Sequence, residues 1–213
     1  MKPKKCALVS TPRAGTHYLR MSLDNHPKMR WTGEFFRKNT RSIFKSHERI
    51  KSYIYNDLCS TVIDHFDCVG FVWHLTLDSD LPPSNIDKFI LLKRRNVLEQ
   101  LVSLLIATKT GNWRDTRSEE KVELKLGQLQ FFIDRQNALH ENFESWGVEY
   151  KTVFYEDLCD QFDDTVDSIQ EYLGVTYYPV RPTSLTKQET RPICEIISNY
   201  EEIKWTLKDM SLL

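Results

Sequence analysis

The chain has 213 residues and an ordinary globular composition, with 40% hydrophobic and 28% charged residues. This length fits one domain with a sizeable core, and we expect a single domain over residues 1–213. The net charge of −1 gives no electrostatic reason to expect a nucleic-acid or membrane partner, so any bound anion must be held by a local site.

Short apolar runs alternate with helical patterns along most of the chain. In chain order we predict a strand at 6–9, a helix from about Thr16, a helix at 48–66, strands at 68–73 and 89–92, helices at 96–110 and 121–146, a strand at 150–154, and a helix at 165–173. Gly174 is placed to end the last helix. This alternation predicts one α/β domain of three layers, with a parallel sheet covered by helices on both faces.

The loop after the first strand reads STPRAGTH, over residues 10–17. In open α/β sheets ligands bind beyond the carboxyl ends of the strands, and a helix N-terminus there favours an anion. Arg13 adds a positive charge to this first loop, and Thr16 adds a hydroxyl donor. The loop lacks the Lys and the first Gly of a nucleotide-triphosphate P-loop, and it also fits an ordinary strand-to-helix turn.

A second basic segment, Lys93-Arg94-Arg95, ends the strand at 89–92. In the next helix, one face is apolar and the other carries small uncharged residues, including Ser103. A solvated face normally carries Lys and Glu, so this one is expected to face a ligand or another part of the protein. Arg95 and Ser103 can both reach a single phosphate on that face; the alternative is that Ser103 only packs against a neighbour.

Together the two segments resemble the sulfotransferases that use 3'-phosphoadenosine 5'-phosphosulfate (PAPS). STPRAGTHYL is similar to the family's 5'-phosphosulfate loop, and RRNVLEQLVS to its 3'-phosphate motif. The stretch RRNVLEQLVSLLIATKTGNW is especially similar to the bacterial trehalose 2-sulfotransferase family. The resemblance implies a P-loop NTPase-like fold and a binding site for the donor. The implied donor site consists of Pro12, Arg13, Ala14, Gly15, Thr16, His17, Arg95 and Ser103.

Further segments extend the resemblance. Residues 33–36, GEFF, resemble the segment that carries the trehalose-sulfating family's catalytic carboxylate, which implies that Glu34 is the base. His74 is the rival base, because FVWHL is distantly similar to the catalytic-histidine segment of cytosolic sulfotransferases. Tyr155, in the segment YEDL, is implied near the adenine, although a strand-end core Tyr is an equal alternative. Lys187 is a candidate cover for the 3'-phosphate, with a surface loop as the other interpretation.

Three positions depart from the family's usual residues. His17 stands where many members have a second Ser or Thr, Ala14 replaces a common Ser, and Val72 occupies the place of a frequent Lys. These departures keep a catalytically inactive nucleotide-binding relative as an alternative, beside a P-loop-like small-molecule kinase. The resemblance implies PAPS as co-substrate, 3',5'-phosphoadenosine (PAP) as product and no metal.

In the implied mechanism, Arg13, the loop amides and Thr16 stabilise the leaving phosphate, and Glu34 or His74 accepts the proton of the acceptor hydroxyl. The acceptor is expected to be a carbohydrate or glycolipid. Aromatic side chains are the candidates for lining a sugar site: Trp31, Tyr53, Trp73 and Trp113. The chain has five tryptophans, and they fit equally well as core residues.

The remaining sequence signals concern redox state and location. None of the five cysteines forms a CxxC pair, so we expect buried free thiols and neither a disulfide framework nor a zinc site.

The apolar run near the N-terminus is about four residues long, too short for a signal peptide. No stretch approaches the ~18–20 apolar residues of a membrane span. We therefore expect a cytoplasmic protein without stable membrane insertion; oligomeric state is not predicted.

Overall fold

The structure is a computed structural model that describes residues 3–34, 65–76, 86–113, 119–184 and 191–213. Three predictions concern residues outside these ranges. They are the helix at 48–66, except its last two residues, and the roles of Tyr53 and Lys187.

A parallel sheet forms the centre of the described part of the chain. Its strands pair in the order β2-β3-β1-β4-β5, and each adjacent pair is parallel. The strands are β1 (Lys4–Ser10), β2 (Met29–Glu34), β3 (Cys68–His74), β4 (Lys88–Lys93) and β5 (Tyr150–Phe154). The predicted α/β class with a parallel sheet is confirmed.

Helices follow most of the strands. They are α1 (Thr16–Leu23), α2 (Val97–Thr110), α3 (Leu126–Glu144), α4 (Tyr155–Asp160), α5 (Phe162–Leu173), α6 (Ile193–Ile196) and α7 (Tyr200–Asp209). Asn96 caps α2 by accepting a hydrogen bond from the Glu99 amide, as its residue type favours. Gly174 ends α5 with φ 60°, which confirms the predicted C-cap.

Both faces of the sheet are buried under helices. Alternate residues of β1 point to opposite faces, so Leu8 packs in a core with residues of α1 and α5, whereas Ala7 and Val9 pack against α3. A third apolar cluster joins α2, α3, α6 and α7. This packing is why the inner strands are continuous apolar runs in the sequence.

Several elements differ from the predictions: α4, α6 and α7 were not predicted, and α5 begins at Phe162, three residues before the predicted start. β2 was not predicted as a strand; it is an edge strand, paired only with β3 among the described elements. The helix predicted at 121–146 begins at Leu126. The residues before it are extended, because Val122 bridges Ile197 and the Asn199 side chain bonds both backbone groups of Leu124.

The cysteine prediction is correct for two of the four described residues. Cys6 and Cys68 are buried free thiols, whereas Cys159 and Cys194 are exposed, on α4 and α6, where the helix faces solvent. Within the described ranges, no helix combines the length and the apolar character needed to cross a membrane.

Candidate functional site

The carboxyl ends of adjacent parallel strands place polar residues along one edge of the sheet. Glu34, His74, Ser10 and Lys93 are the last residues of β2, β3, β1 and β4, in the order of the strands across the sheet. Tyr155 directly follows β5 at the same edge. Two of the sequence motifs and both candidate bases therefore meet here, at the place where ligands bind in open α/β sheets.

The first loop turns tightly between β1 and α1. Arg13 and Gly15 both have left-handed backbone conformations, with φ of 65° and 91°. A Cβ on Gly15 would lie 2.2 Å from Cδ2 of Tyr155, so only glycine lets the loop pass under this ring. No described side chain caps α1, and its first amides carry the positive end of the helix dipole.

Arg13 extends from this loop toward α2. Its Nε donates to Ser103 Oγ at 2.9 Å, and its Nη1 donates to the Trp113 carbonyl at 3.0 Å. Burial, with Arg94 nearby as a second cation, lowers the pKa of Arg13 below its ordinary value. The guanidinium stays charged nonetheless, since arginine titrates far above neutral pH.

The uncharged face of α2 packs against the first loop. Gln100 is buried, and its Nε2 donates to Thr11 Oγ1 at 3.1 Å and to the Pro12 carbonyl at 2.8 Å. Ala107 is also buried. The prediction that this face contacts another part of the protein is thereby confirmed at Gln100, whose role the sequence did not suggest.

Arg94 and Arg95 point in different directions. Arg94 lies over the Tyr155 ring, 4.8 Å from its centroid, and its Nη1 donates to the Arg13 carbonyl at 3.4 Å. Arg95 donates from both terminal nitrogens to the Asp157 carboxylate, at 2.6 and 2.9 Å, and lies 4.0 Å from the centroid of Phe154. The hydrogen bonds from Arg95 lower the pKa of Asp157.

The structure therefore separates two residues that the motif associates. Ser103 contacts Arg13, Arg95 contacts Asp157, and among the described contacts no hydrogen bond joins Arg95 to Ser103. Arg95 remains half exposed, with 51% of its side chain open to solvent. It is therefore accessible to an anionic ligand at this edge.

Tyr155 closes the side of the site next to Gly15. Burial, together with a hydrogen bond to Cys159, raises its pKa well above the ordinary value for tyrosine. The phenol is consequently neutral, and its ring presents a flat apolar surface beside Arg94.

A chain of hydrogen bonds connects the first loop to both candidate bases. Thr16 Oγ1 and Ser10 Oγ are 2.7 Å apart, and Ser10 Oγ lies 3.1 Å from Nδ1 of His74. Nε2 of His74 lies 2.8 Å from Oε1 of Glu34. The two rival bases are thus direct partners, a contact between residues 40 positions apart that the sequence did not reveal.

The other candidates have varied positions. Pro12 is exposed, Ala14 is buried, and His17 is half-buried in the first turn of α1. Val72 is buried in β3 and opposes Glu34 in the sheet register. Across the described ranges, no group of three or more His, Cys, Asp or Glu residues is arranged to hold a metal ion.

The expected sugar-lining role is wrong for two of the tryptophans. Trp31 is buried against Gly70, and Trp73 is buried against Phe71 and Trp146, so both belong to the core. Trp113 is 44% exposed and lies beside Arg13 through its carbonyl.

Sequence comparisons with known proteins find distant relatives of this chain. No known family profile matches the chain. Nodulation protein H of Rhizobium meliloti (strain 1021) is 23% identical over 96% of this chain and 91% of its own length, and that of Rhizobium tropici is 22% identical over 95% and 88%.

Two solved structures share the architecture. Mouse sulfotransferase SULT7A1, solved with PAP, has a TM-score of 0.55 at 15% identity over 82% of this chain, which spans 60% of the length of the mouse protein. The sulfotransferase domain of the Synechococcus PCC 7002 olefin synthase has a TM-score of 0.53 at 14% identity, over 94% of this chain and 83% of that domain.

Proposed function

We propose that this chain, which has the sulfotransferase fold predicted from its two motifs, is an enzyme that transfers a sulfuryl group from PAPS to a hydroxyl acceptor. A carbohydrate or glycolipid is the acceptor class that we propose. The observation that carries the proposal is the shared edge of the sheet, where the first loop adjoins the Glu34–His74 pair through Ser10. An anionic donor and a proton acceptor are needed side by side for this reaction.

The residues of the first loop fit the phosphosulfate end of the donor. No described side chain caps the first amides of α1, which follow Gly15, and Arg13 and Thr16 add a cation and a hydroxyl. We assign to these groups the stabilisation of the negative charge that gathers on the leaving phosphate. PAPS supplies an activated sulfuryl group, which carries less negative charge than a terminal phosphate and so does not require magnesium.

The residues beyond the first loop fit the nucleotide end. Arg95 and Ser103 are assigned to the 3'-phosphate, and Tyr155 to the adenine, whose flat face matches its neutral ring. Arg95 can exchange the Asp157 carboxylate for a phosphate, because both are anions that accept paired hydrogen bonds from a guanidinium. We keep Lys187 as a candidate cover for this phosphate.

Glu34 is the base that we propose. An ionised carboxylate only accepts hydrogen bonds, so Nε2 of His74 donates to Oε1 of Glu34. A histidine that donates in this way has no lone pair left at Nε2 to accept a proton from the acceptor hydroxyl. Glu34 retains that capacity, and His74 orients it.

The acceptor class is supported by the resemblance of RRNVLEQLVSLLIATKTGNW to the trehalose-sulfating family. Trp113 is exposed and its carbonyl contacts Arg13, so we assign its aromatic face to a sugar ring of the acceptor. The names of the curated relatives specify no acceptor.

A thermal-shift comparison of PAP with ATP–magnesium tests the nucleotide class. PAP at about 100 times its Kd should stabilise the protein by about 2.7 kcal/mol without metal, which corresponds to roughly 5–10 °C for a chain of this size. A larger shift with ATP–magnesium would instead favour a kinase. The acceptor is then sought with sulfur-labelled PAPS against sugars, glycolipids and phenols; PAP binding without a labelled product from any acceptor would favour an inactive relative.

A further inference from the structure

With Glu34 ionised and His74 neutral, the hydrogen-bond chain Thr16–Ser10–His74–Glu34 has one self-consistent direction. Because Glu34 accepts from Nε2, a neutral His74 has an unprotonated Nδ1, and this nitrogen must accept from the Ser10 hydroxyl. The single proton of Ser10 is then used, so the short contact with Thr16 requires that Thr16 donates to Ser10. Each hydroxyl therefore donates toward the base.

The hydrogen-bond chain is shielded from bulk water at Thr16 and Ser10. Ser10 is fully buried and Thr16 is 6% exposed. In such surroundings a hydroxyl that accepts a hydrogen bond becomes a better donor, so the bond from Thr16 strengthens the bond from Ser10 to His74. Ser10 has no assigned contact with donor or acceptor, but it holds His74, the residue that orients the base.

Thr16 also belongs to the anion-binding loop, and this gives it two competing uses. A phosphate or sulfate oxygen can only accept, so an anion in the loop takes the Thr16 proton away from Ser10. The remaining bond from Ser10 to His74 Nδ1 then loses its support.

We propose that Ser10 is a positioning residue that couples the donor loop to the catalytic pair: it holds His74 in the Nε2–H tautomer, and an anion bound at Thr16 weakens that hold. The coupling rests on the proposed function, since it treats the loop as the site of the donor. It identifies a further residue for the reaction: Ser10 ends β1 and begins the STPRAGTHYL segment, but it is not among the donor-site residues that the resemblance implies.

Long-range ¹H–¹⁵N spectra of the imidazole nitrogens read this state directly, with His74 assigned by its loss in His74→Asn. The free protein should show the Nε2–H tautomer, with Nδ1 hydrogen-bonded. Adding PAP should move the Nδ1 signal toward that of a nitrogen without a hydrogen bond. In Ser10→Ala this signal should already be displaced and should not respond to PAP, whereas Ser10→Thr should restore the response.

Ser22→Ala is the matched control, because Ser22 is also fully buried and lies in α1 but bonds the Thr183 amide instead. It should leave the His74 spectrum and turnover unchanged. Ser10→Ala should lower kcat by roughly tenfold, as expected for loss of one hydrogen bond that acts in the transition state, with PAP affinity changed by less than about threefold.

The outcomes separate the two claims. PAP binding with an unmoved His74 signal, a His74 in the Nδ1–H or doubly protonated form, or equal responses in Ser10→Ala and the wild type would each overturn the coupling alone. Absence of PAP binding would overturn the proposed function, and the coupling with it.

Discussion

At the scale of single residues, the proposed mechanism assigns proton acceptance to Glu34. Glu34→Gln keeps the size and one hydrogen-bond acceptor of the side chain but removes its ability to take a proton. We expect kcat to fall by about 10²–10⁴-fold with PAP affinity little changed. Initial rates with labelled PAPS and calorimetric titration with PAP measure the two quantities.

Glu149→Gln is the control for this change, because Glu149 is an exposed carboxylate paired with Lys88 at the opposite end of the sheet. It should have wild-type turnover. Near-normal turnover of Glu34→Gln, combined with complete loss in His74→Ala, would exchange the roles of the two residues.

The role assigned to Arg95 requires that its guanidinium leaves the Asp157 carboxylate and binds the 3'-phosphate of the donor. Arg95→Ala should weaken PAP binding by roughly 10–100-fold, the usual loss for a hydrogen bond to a charged group. Asp157→Asn should have the opposite effect, since a neutral amide holds the guanidinium less firmly than the carboxylate does. Calorimetric titration gives both affinities.

Arg30→Ala is the matched control for Arg95→Ala. Arg30 is another exposed arginine paired with an aspartate, Asp24, but it lies near the start of β2, away from the site. Its loss should leave PAP affinity unchanged. Unchanged affinity in Arg95→Ala would remove Arg95 from the nucleotide site.

At the scale of secondary-structure elements, the position of β2 depends on Gly70. Trp31 of β2 pairs with Gly70 of β3, and a Cβ on Gly70 would lie 2.4 Å from the buried indole. Gly70→Ala should therefore lower the free energy of unfolding by about 1–3 kcal/mol, measured by urea denaturation. It should also lower turnover, because a displaced β2 moves Glu34 away from His74.

Gly33→Ala is the control, since a Cβ on this β2 glycine meets nothing within 4 Å. Its free energy of unfolding should stay within about 0.5 kcal/mol of the wild type. Equal stability of the two variants would show that Trp31 can move aside without cost.

The same strand marks the limit of what the sequence predicts. β1, β3 and β4 lie inside the sheet and are buried on both faces, so they are visible as short apolar runs. β2 is an edge strand whose residues alternate between buried and partly exposed, and its sequence lacks such a run. The sequence therefore predicted both candidate bases separately, while their contact depends on the pairing of β2 with β3.

The sequence also did not predict hydrogen bonds and backbone pairings between residues far apart in the chain. Arg13 and Ser103 could be assigned to one site because two loops follow neighbouring strands, but their hydrogen bond depends on how α2 lies across the first loop. Likewise, the start of α3 is set by the pairing of Val122 with Ile197, 75 positions later in the chain. Periodicity describes one element at a time and cannot detect such pairings.

At the scale of the whole molecule, His140 on α3 makes stability depend on pH. Burial, with Lys93 nearby as a second cause and Glu144 opposing it, lowers the pKa of His140 to about 4. An unfolded histidine has a pKa of about 6.5. Between these values the unfolded chain binds a proton that the folded chain does not, so the contribution is fully present above about pH 6.5 and is lost as the pH falls toward 4.

The free energy of unfolding in urea should consequently decrease between about pH 7.5 and pH 4.5, and by less in His140→Gln than in the wild type. Aspartates with a lowered pKa, such as Asp157, also lose stabilisation in acid, but they are present in both proteins and cancel in the comparison. His65→Gln, at an exposed position, should follow the wild type. Parallel curves for the wild type and His140→Gln would mean that His140 takes up its proton equally in both states, which its partly buried position on α3 argues against.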